Sequence, residues 1–171
     1  MKIKETKKEI SQTINLKELL GRSPTPQERV SIGQDLIDRI LERTESGKSL
    51  SGHKFKAYSK EYKDSLDFQA FGKTNRVNMT LTGDMLASID ILKETKDTIT
   101  IGIAGDEAPK AFNHQTGDTV PKRRFFGVTK GDTKKAVRDN KNSNVEAPSE
   151  DNFVDRALDT LNIGDFFNGE D

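Results

Sequence analysis

Two histidines have the clearest capacity for chemistry near neutral pH in this sequence. His53 and His114 stand on separate segments, and an imidazole can act as a general base or a metal ligand because it titrates near pH ~6.5. Neither has a second histidine one helical turn away with a glutamate beside it, as zinc hydrolases do. His114 is therefore predicted to be a loop residue that hydrogen-bonds the backbone. A hydrolase built on His114 and nearby acids is kept as one functional hypothesis.

Other catalytic arrangements are not indicated by the sequence. Carboxylates are abundant, but they stand in polar segments beside lysines rather than as a pair in apolar surroundings, which would separate their pKa values. The segments around Gly83 and Gly102 lack the order of strand, glycine-rich loop and helix that cradles phosphates. We therefore predict no catalytic residue, no cofactor and no resident metal, and a protein that is not an enzyme.

A basic cluster beside aromatic residues spans Lys122 to Phe126. Lys122, Arg123 and Arg124 could bind a phosphate backbone, and the two phenylalanines that follow could stack on bases. This cluster supports a second hypothesis, a small nucleic-acid-binding module. The alternative, which we favour, is an edge strand whose cations face solvent or pair with acidic residues of a neighbour.

The composition is unusually polar for a globular domain. Of the 171 residues, which suit one domain, 32% are hydrophobic and 33% charged, with a mean hydropathy of -0.76, against an apolar share of roughly 45% in ordinary domains. Lys and Arg balance Asp and Glu at 28 each, so no overall field attracts nucleic acid. We expect part of the chain to be extended or completed by a partner.

Cysteine is absent from the sequence, which excludes disulfides, thiolate metal sites and cysteine nucleophiles and fits assembly in a reducing cytoplasm. The first nine residues are charged, and no stretch approaches the ~18 consecutive apolar residues of a membrane span. We expect a soluble protein with no membrane partner.

The clearest helix signal begins at Thr25, an N-cap residue followed by Pro26 and, three positions after the cap, by Glu28, which makes a capping box. The helix is predicted to run to about Thr44 with Gly47 as its stop. Apolar residues at three- and four-residue intervals give it one core-facing side: Val30, Leu36, Ile37, Ile40 and Leu41.

The twenty residues that open the chain carry a thinner apolar stripe. Ile3, Ile10, Ile14 and Leu19 or Leu20 stand among lysines and glutamates, and this spacing predicts a helical arm that docks onto another surface. A frayed tail is the alternative.

Strand patterns follow in the second half. Val77, Met79 and Leu81 alternate with polar residues, as in a strand with one buried face. Met85 and Leu86 suit a single helical turn, and two alternating runs, Ile89–Ile91 and Ile99–Ile103, flank a charged turn and predict a hairpin. Tyr58–Leu66 and Ala108–His114 suit short helices, and Arg124–Val128 is a last strand candidate.

These patterns predict an α+β fold, in which the long helix near the N-terminus packs on an antiparallel sheet of about four strands and helical extensions stand at both ends. We divide the chain into an N-terminal helical arm (1–23), an α+β core domain (24–130), a polar loop (131–149) and a C-terminal helix and tail (150–171). Ser149 is the predicted cap of that last helix, and Phe153 and Leu158 are on its apolar stripe.

The order of several short sequence pieces between about Gly47 and Thr129 resembles the phage virion morphogenesis family, which includes tail completion proteins of contractile-tailed phages similar to Mu and P2. The most telling pieces are Asn78–Leu86 and the Arg-Phe-Phe-Gly run at 124–127. The others contain Ser51, Gly52, Phe55, Tyr58, Ser59 and Tyr62, then Thr98, Ile99, Ile101 and Gly102, and then Ala111, His114, Gln115 and Gly117. The segments before Pro24 and after Lys130 fall outside the resemblance.

The resemblance implies a structural virion protein at the head-tail junction, acting in tail completion and head-tail joining as a tail terminator or neck ring subunit. It implies a ring, six-fold by likeness to tail-end proteins, that contacts tail tube or tail sheath protein and head-completion or connector proteins, with DNA only as cargo through the lumen. Its location would be the virion neck, and the host cytoplasm during assembly. The expected subunit contacts are Val77, Met79, Leu81, Arg124, Phe125, Phe126, Val128, Phe153 and Leu158.

Overall fold

A four-stranded antiparallel sheet is the centre of the fold. The computed structural model describes residues 2–71, 76–80 and 83–141. The strands β1 (Ile3–Thr6), β2 (Glu9–Asn15), β3 (Asp90–Glu94) and β4 (Thr98–Ala104) lie in the order β1-β2-β4-β3. The predicted α+β class, the count of about four strands and the β3–β4 hairpin are confirmed, while two of the strands come from unexpected segments.

The N-terminal segment supplies two strands, so the prediction of a helical arm over 1–23 is wrong except for the short helix α1 (Leu16–Leu20). Ile10 and Ile14 are fully buried and pair with Ile103 and Ile99 of β4. A four-residue interval puts two side chains on one face of a strand as well as of a helix. Gln12, buried between them on the same face, hides the alternation.

The long helix α2 (Pro26–Glu45) is confirmed, together with its capping box. Glu28 donates its N–H to the Thr25 hydroxyl (3.1 Å) and its carboxylate accepts the Thr25 N–H (2.8 Å). Glu28 is only 1% exposed, and its carboxylate also accepts hydrogen bonds from both terminal nitrogens of Arg22 at 2.8 and 2.6 Å. At Gly33 the helix approaches β3 so closely that a Cβ atom would lie 2.5 Å from Cδ1 of Ile91.

Shorter helices complete the fold on either side of the hairpin. They are α3 (Lys60–Lys63), α4 (Leu66–Ala70), α5 (Asp84–Ala87) and α6 (Ala108–Thr116), the last preceded by a 3-10 turn at Gly105–Glu107. The short helices predicted near Tyr58–Leu66, Met85 and Ala108–His114 are therefore confirmed. Of the residues that the structure describes, none belongs to a helix long and apolar enough to cross a bilayer.

The predicted strand at Val77–Leu81 is wrong for its described part. Residues 77–80 have no regular secondary structure, and Leu81 lies outside the described residues. Met79 has φ 61°, in the left-handed region, and a strand cannot continue through that conformation. Val77 and Met79 therefore lie in an irregular segment rather than in a strand.

The predicted strand at Arg124–Val128 is wrong as well, although the segment lies deep in the core. From Phe125 onward its backbone hydrogen-bonds to side chains rather than to a neighbouring strand. The Phe126 N–H donates to Oε1 of Gln115 (3.3 Å), and the Val128 N–H donates to Oε1 of Gln12 (2.8 Å). Arg43 donates to the carbonyls of Phe125 and Gly127 at 3.0 and 2.6 Å.

The polar loop predicted over 131–149 is wrong for its first ten residues, which lie in α7 (Lys130–Asn140). Thr129 and Asp132 form a second capping box, and the few apolar or small residues, Ala136 and Val137, are buried where α7 meets α1 and α2. One narrow buried stripe on a charged helix gave too weak a periodic signal. Residues 142–149 and the predicted C-terminal helix, with Phe153 and Leu158, lie outside the described residues.

Candidate functional site

A cleft of about 550 Å³ opens between the segment that precedes and contains α3, the residues Met79, Thr80, Gly83 and Met85, and the side of α6. Its apolar walls come from both tyrosines of the chain, two methionines and the loop that follows α6. The polar lining groups at its rim and floor include a guanidinium, an ammonium and an imidazole. The principal lining residues are Tyr58, Tyr62, Met79, Met85, Val120, Pro121, Lys110, Asn113, His114 and Arg123.

One wall is formed by the rings of Tyr58 and Tyr62, which pack on each other and on Phe68. The ring centroids of Tyr58, Tyr62 and Phe68 lie 5.2 to 5.5 Å apart, with two of the three pairs edge to face, a favourable arrangement for such rings. Ser59 caps α3 by accepting the Tyr62 N–H, and Ser65 caps α4 by accepting that of Phe68. The four-residue spacing of the tyrosines, visible in the sequence, therefore places both rings in the cleft.

The turn at Met79 holds the next wall in place. The backbones of Asn78 and Met79 hydrogen-bond the Tyr58 hydroxyl, while burial and the nearby Tyr62 raise the pKa of Tyr58. Met79 is the single non-glycine residue with positive φ in the part of the chain that the structure describes. Such strain persists only where surrounding contacts hold it.

Arg123 forms the cationic floor of the cleft. It is 5% exposed, with its guanidinium carbon 5.3 Å from the centroid of the Tyr58 ring, and its Nε donates to the Lys56 carbonyl at 3.2 Å. Burial lowers the pKa of the guanidinium, which still remains protonated in proteins. The cleft therefore combines an aromatic wall with a largely desolvated positive charge.

His114 also lines the cleft, from the last turn of α6, so the prediction of a loop residue bonded to the backbone is wrong. Burial, with a smaller effect from the Arg123 charge, lowers its pKa to about 4, which makes the ring neutral at pH 7. Its Nδ1 is buried with no hydrogen-bond partner among the described residues. No carboxylate orients that nitrogen as a hydrolytic triad requires.

The basic and aromatic cluster predicted at Lys122–Phe126 is divided by the fold. Lys122 is exposed, Arg123 turns into the cleft, and Arg124 lies 3.8 Å from a Glu5 carboxylate oxygen. Phe125 and Phe126 are fully buried, so they cannot stack on bases as the nucleic-acid hypothesis requires.

The predicted subunit contacts are similarly divided. Phe125, Phe126 and Val128 pack into the core of their own chain, so their side chains are unavailable to a neighbour, and Val77 is 7% exposed. Met79 lines the cleft, and Arg124 is at the surface. Leu81, like Phe153 and Leu158, is not among the described residues.

Sequence pieces that are distant along the chain meet at this cleft. Tyr58, Ser59 and Tyr62 belong to the first piece of the family resemblance, Met79 and Met85 to the second, and His114 to a later one. Sequence reasoning missed the cleft itself, because nothing in the spacing places α6 beside the tyrosines. Val120 and Pro121 gave no signal beyond a turn.

The described residues include no group of three or more His, Cys, Asp or Glu placed to hold a metal ion. Comparison of the chain with models of protein families, with curated proteins and with solved structures found no match.

Proposed function

We propose that the protein is a structural subunit of the head-tail junction of a tailed bacteriophage, where copies close into a ring and act by geometry rather than by catalysis. The order of the motifs between Gly47 and Thr129 motivates the proposal. The structural observation that supports the proposal is the free outer edge of the β1 strand, because an unpaired edge is a template for contact with another chain.

The edge of β1 is open in the part of the chain that the structure describes. Its inner side pairs with β2 over Ile3 to Thr6, and no backbone hydrogen bond joins its outer side to a described residue. The opposite edge, β3, is interrupted between Ile91 and Lys93 and bears the charges of Asp90 and Glu94, features that discourage pairing. One open edge and one blunted edge suit a contact between unlike surfaces, which can close into a ring.

Exposed apolar side chains supply a second surface. Leu66 is 84% exposed and Phe71 is 53% exposed, at the two ends of α4. We assign this pair to the subunit contact together with the β1 edge. The completed ring would lie on tail tube or tail sheath protein, meet head-completion or connector proteins, and pass DNA through its lumen at the virion neck.

The full-length chain provides the test. We expect light scattering and negative-stain electron microscopy to show a closed ring, alone or when tail tube protein is added, and a Leu66→Glu, Phe71→Glu double variant to run as a monomer with unchanged circular dichroism. Leu92→Glu is the matched control, since Leu92 is an exposed leucine (37%) on the blunted strand; it should leave the ring intact.

A monodisperse monomer at high concentration, with and without tail tube protein, contradicts the proposal. Loss of the ring in the Leu92 control but not in the double variant would contradict the assignment of the contact.

A further inference from the structure

The net charge of zero conceals two oppositely charged parts. Residues 1–141 contain 27 Lys and Arg against 20 Asp and Glu, a formal charge of +7, whereas residues 142–171 contain one arginine against eight acids, a charge of -7. The acidic part also contains Phe153, Phe166 and Phe167. An acidic segment with aromatic side chains complements a surface that is both cationic and apolar.

We propose that residues 142–171 bind in the cleft of their own chain, with phenylalanine side chains against Tyr58, Tyr62 and the methionines and carboxylates toward Arg123 and Lys110. The inference is independent of the proposed function. Phenylalanine contributes the largest apolar area that the segment offers, and the cleft offers it a concave surface lined by tyrosine and methionine side chains.

The charges around the cleft favour an acidic ligand. Arg123 at the floor has no carboxylate within salt-bridge distance among the described residues, and Lys110 at the rim pairs with Glu107 at 2.8 Å. Lys122, next to Arg123, is exposed. A carboxylate that reaches this partly desolvated floor gains a stronger interaction than one on an open surface.

The tether permits this contact. Thirty extended residues span up to roughly 100 Å, while a domain of this size has a radius of gyration of about 15 Å, so the segment reaches every face. Covalent attachment within this reach gives an effective concentration on the order of millimolar. Binding within one chain is therefore favoured over binding to a second copy in dilute solution.

One competing surface is present. A shallower groove of about 300 Å³ is lined by Leu19, Leu20 and Val137 with Lys134, Arg138 and Lys141. It is cationic too, but smaller and without an aromatic wall. This groove supplies the matched control for the experiment.

The chain allows a sharp test because it has two tyrosines, both in the cleft, and no cysteine. A nitroxide on Asn168→Cys in the full-length chain should broaden the NMR signals of both tyrosine rings and leave the Val137 methyl signals largely unchanged. Raising the salt to about 0.5 M, which shortens the screening length to a few ångströms, should restore much of the tyrosine intensity.

Two charge-reversal variants distinguish binding in the cleft from binding in the groove. Lys110→Glu should recover the tyrosine signals, whereas Lys134→Glu, the same change at an exposed lysine of the groove, should leave them broadened. Tyrosine signals unaffected by the nitroxide would overturn the proposal, as would broadening of Val137 instead. So would broadening that appears only when an isotope-labelled chain without nitroxide is mixed with an unlabelled chain that carries it, because that result assigns the segment to a second copy.

Discussion

Two glutamine side chains make backbone hydrogen bonds of the kind that a neighbouring strand would make. Gln12 and Gln115 reach from β2 and α6 to the backbone of the segment 125–128, where each amide both donates to a carbonyl and accepts an N–H of the same residue. A side-chain amide has both functions, as a peptide group does. The segment is thereby buried without belonging to the sheet.

We predict that Gln12→Leu destabilises the protein by about 2–4 kcal/mol. Leucine has a similar size but leaves both the N–H and the carbonyl of Val128 buried without partners, and each such group costs about 1–3 kcal/mol. Urea denaturation followed by circular dichroism measures the change. Gln69→Leu, at an exposed position of α4, should change stability by less than about 0.5 kcal/mol; an equal effect in both variants would contradict this role for Gln12.

His114 predicts a pH dependence of stability. Its folded pKa of about 4 lies below the value near 6.5 in an unfolded chain, so the unfolded state takes up the proton first as the pH falls. The stability that depends on the neutral His114 ring is therefore complete above pH ~6.5 and decreases until the pH reaches about 4. Between pH 7 and pH 5 the unfolding free energy falls by about 2 kcal/mol from this cause.

The measurement compares unfolding free energies at pH 7 and pH 5. We expect the fall in unfolding free energy from pH 7 to pH 5 to be about 2 kcal/mol smaller in His114→Gln than in the wild type, since glutamine does not titrate. His53→Gln, at an exposed histidine that bonds the Ser51 hydroxyl at 3.0 Å, should retain the full decline. A wild-type slope in the His114 variant would show that the imidazole is accessible to protons in the folded state.

At the level of elements, the sequence predicted those whose signals are local. The capping box at Thr25 and the Gly47 stop bound α2 to within two residues, and the two isoleucine runs identified the β3–β4 hairpin. Where a pattern suits two structures, partners elsewhere in the chain decide between them. The Ile10–Ile14 interval became a strand because β4 offers it a complete ladder of hydrogen bonds.

The same limit applies to the cleft. The tyrosine spacing was visible in the sequence, but the placement of α6 beside the tyrosines follows from contacts of α6 with β1 and β2. Arg123 resembled its neighbours Lys122 and Arg124 in the sequence. Its inward direction follows from the His114 carbonyl, which accepts the Arg123 N–H at 2.7 Å.

The β2–β4 pairing imposes a requirement at Gly102. A Cβ atom there would overlap the Ile10 carbonyl oxygen and lie 2.8 Å from the Ser11 Cβ, and a backbone neighbour cannot rotate away. We predict that Gly102→Ala destabilises the protein by about 1–3 kcal/mol, measured by thermal and urea unfolding.

Gly131→Ala is the control of opposite sign. Gly131 lies in α7, where the nearest atom to a new Cβ is the Thr129 Oγ1 at 3.5 Å, and alanine favours helix over glycine by up to about 1 kcal/mol. A gain of a few tenths to about 1 kcal/mol is expected. Loss of stability at Gly131 equal to that at Gly102 would mean that crowding at Ile10 is not the cause.

For the whole molecule, the average composition led to a wrong expectation about the core. The low apolar content suggested a chain unable to bury a core by itself, yet residues 2–141 contain a contiguous core that includes Ile10, Ile14, Ile101, Phe125 and Phe126, all fully buried. The net charge of zero likewise is the sum of a basic part, residues 1–141, and an acidic part, residues 142–171. Only the charge balance depends on residues 142–171, which add eight acids and one arginine to the total.

This partition predicts that the chain ended at Lys141 remains folded but acquires affinity for polyanions. With a formal charge of +7, it should bind double-stranded DNA of any sequence, and the affinity should fall on the order of tenfold to a hundredfold between about 50 and 200 mM salt, as for a few phosphate contacts. The full-length chain, with its acidic segment present, should bind far more weakly. Fluorescence anisotropy with labelled duplexes measures both, and cooperative thermal unfolding checks the fold.

The control adds Lys134→Glu and Lys135→Glu to the shortened chain. Both lysines are exposed on α7, and the two reversals reduce the formal charge from +7 to +3, so binding and its salt slope should both decrease. Affinity that depends on duplex sequence, or that is equal in the full-length and shortened chains, would contradict a general electrostatic origin. It would instead favour a specific nucleic-acid site, because affinity from net charge alone changes with the number of charges and not with the order of the bases.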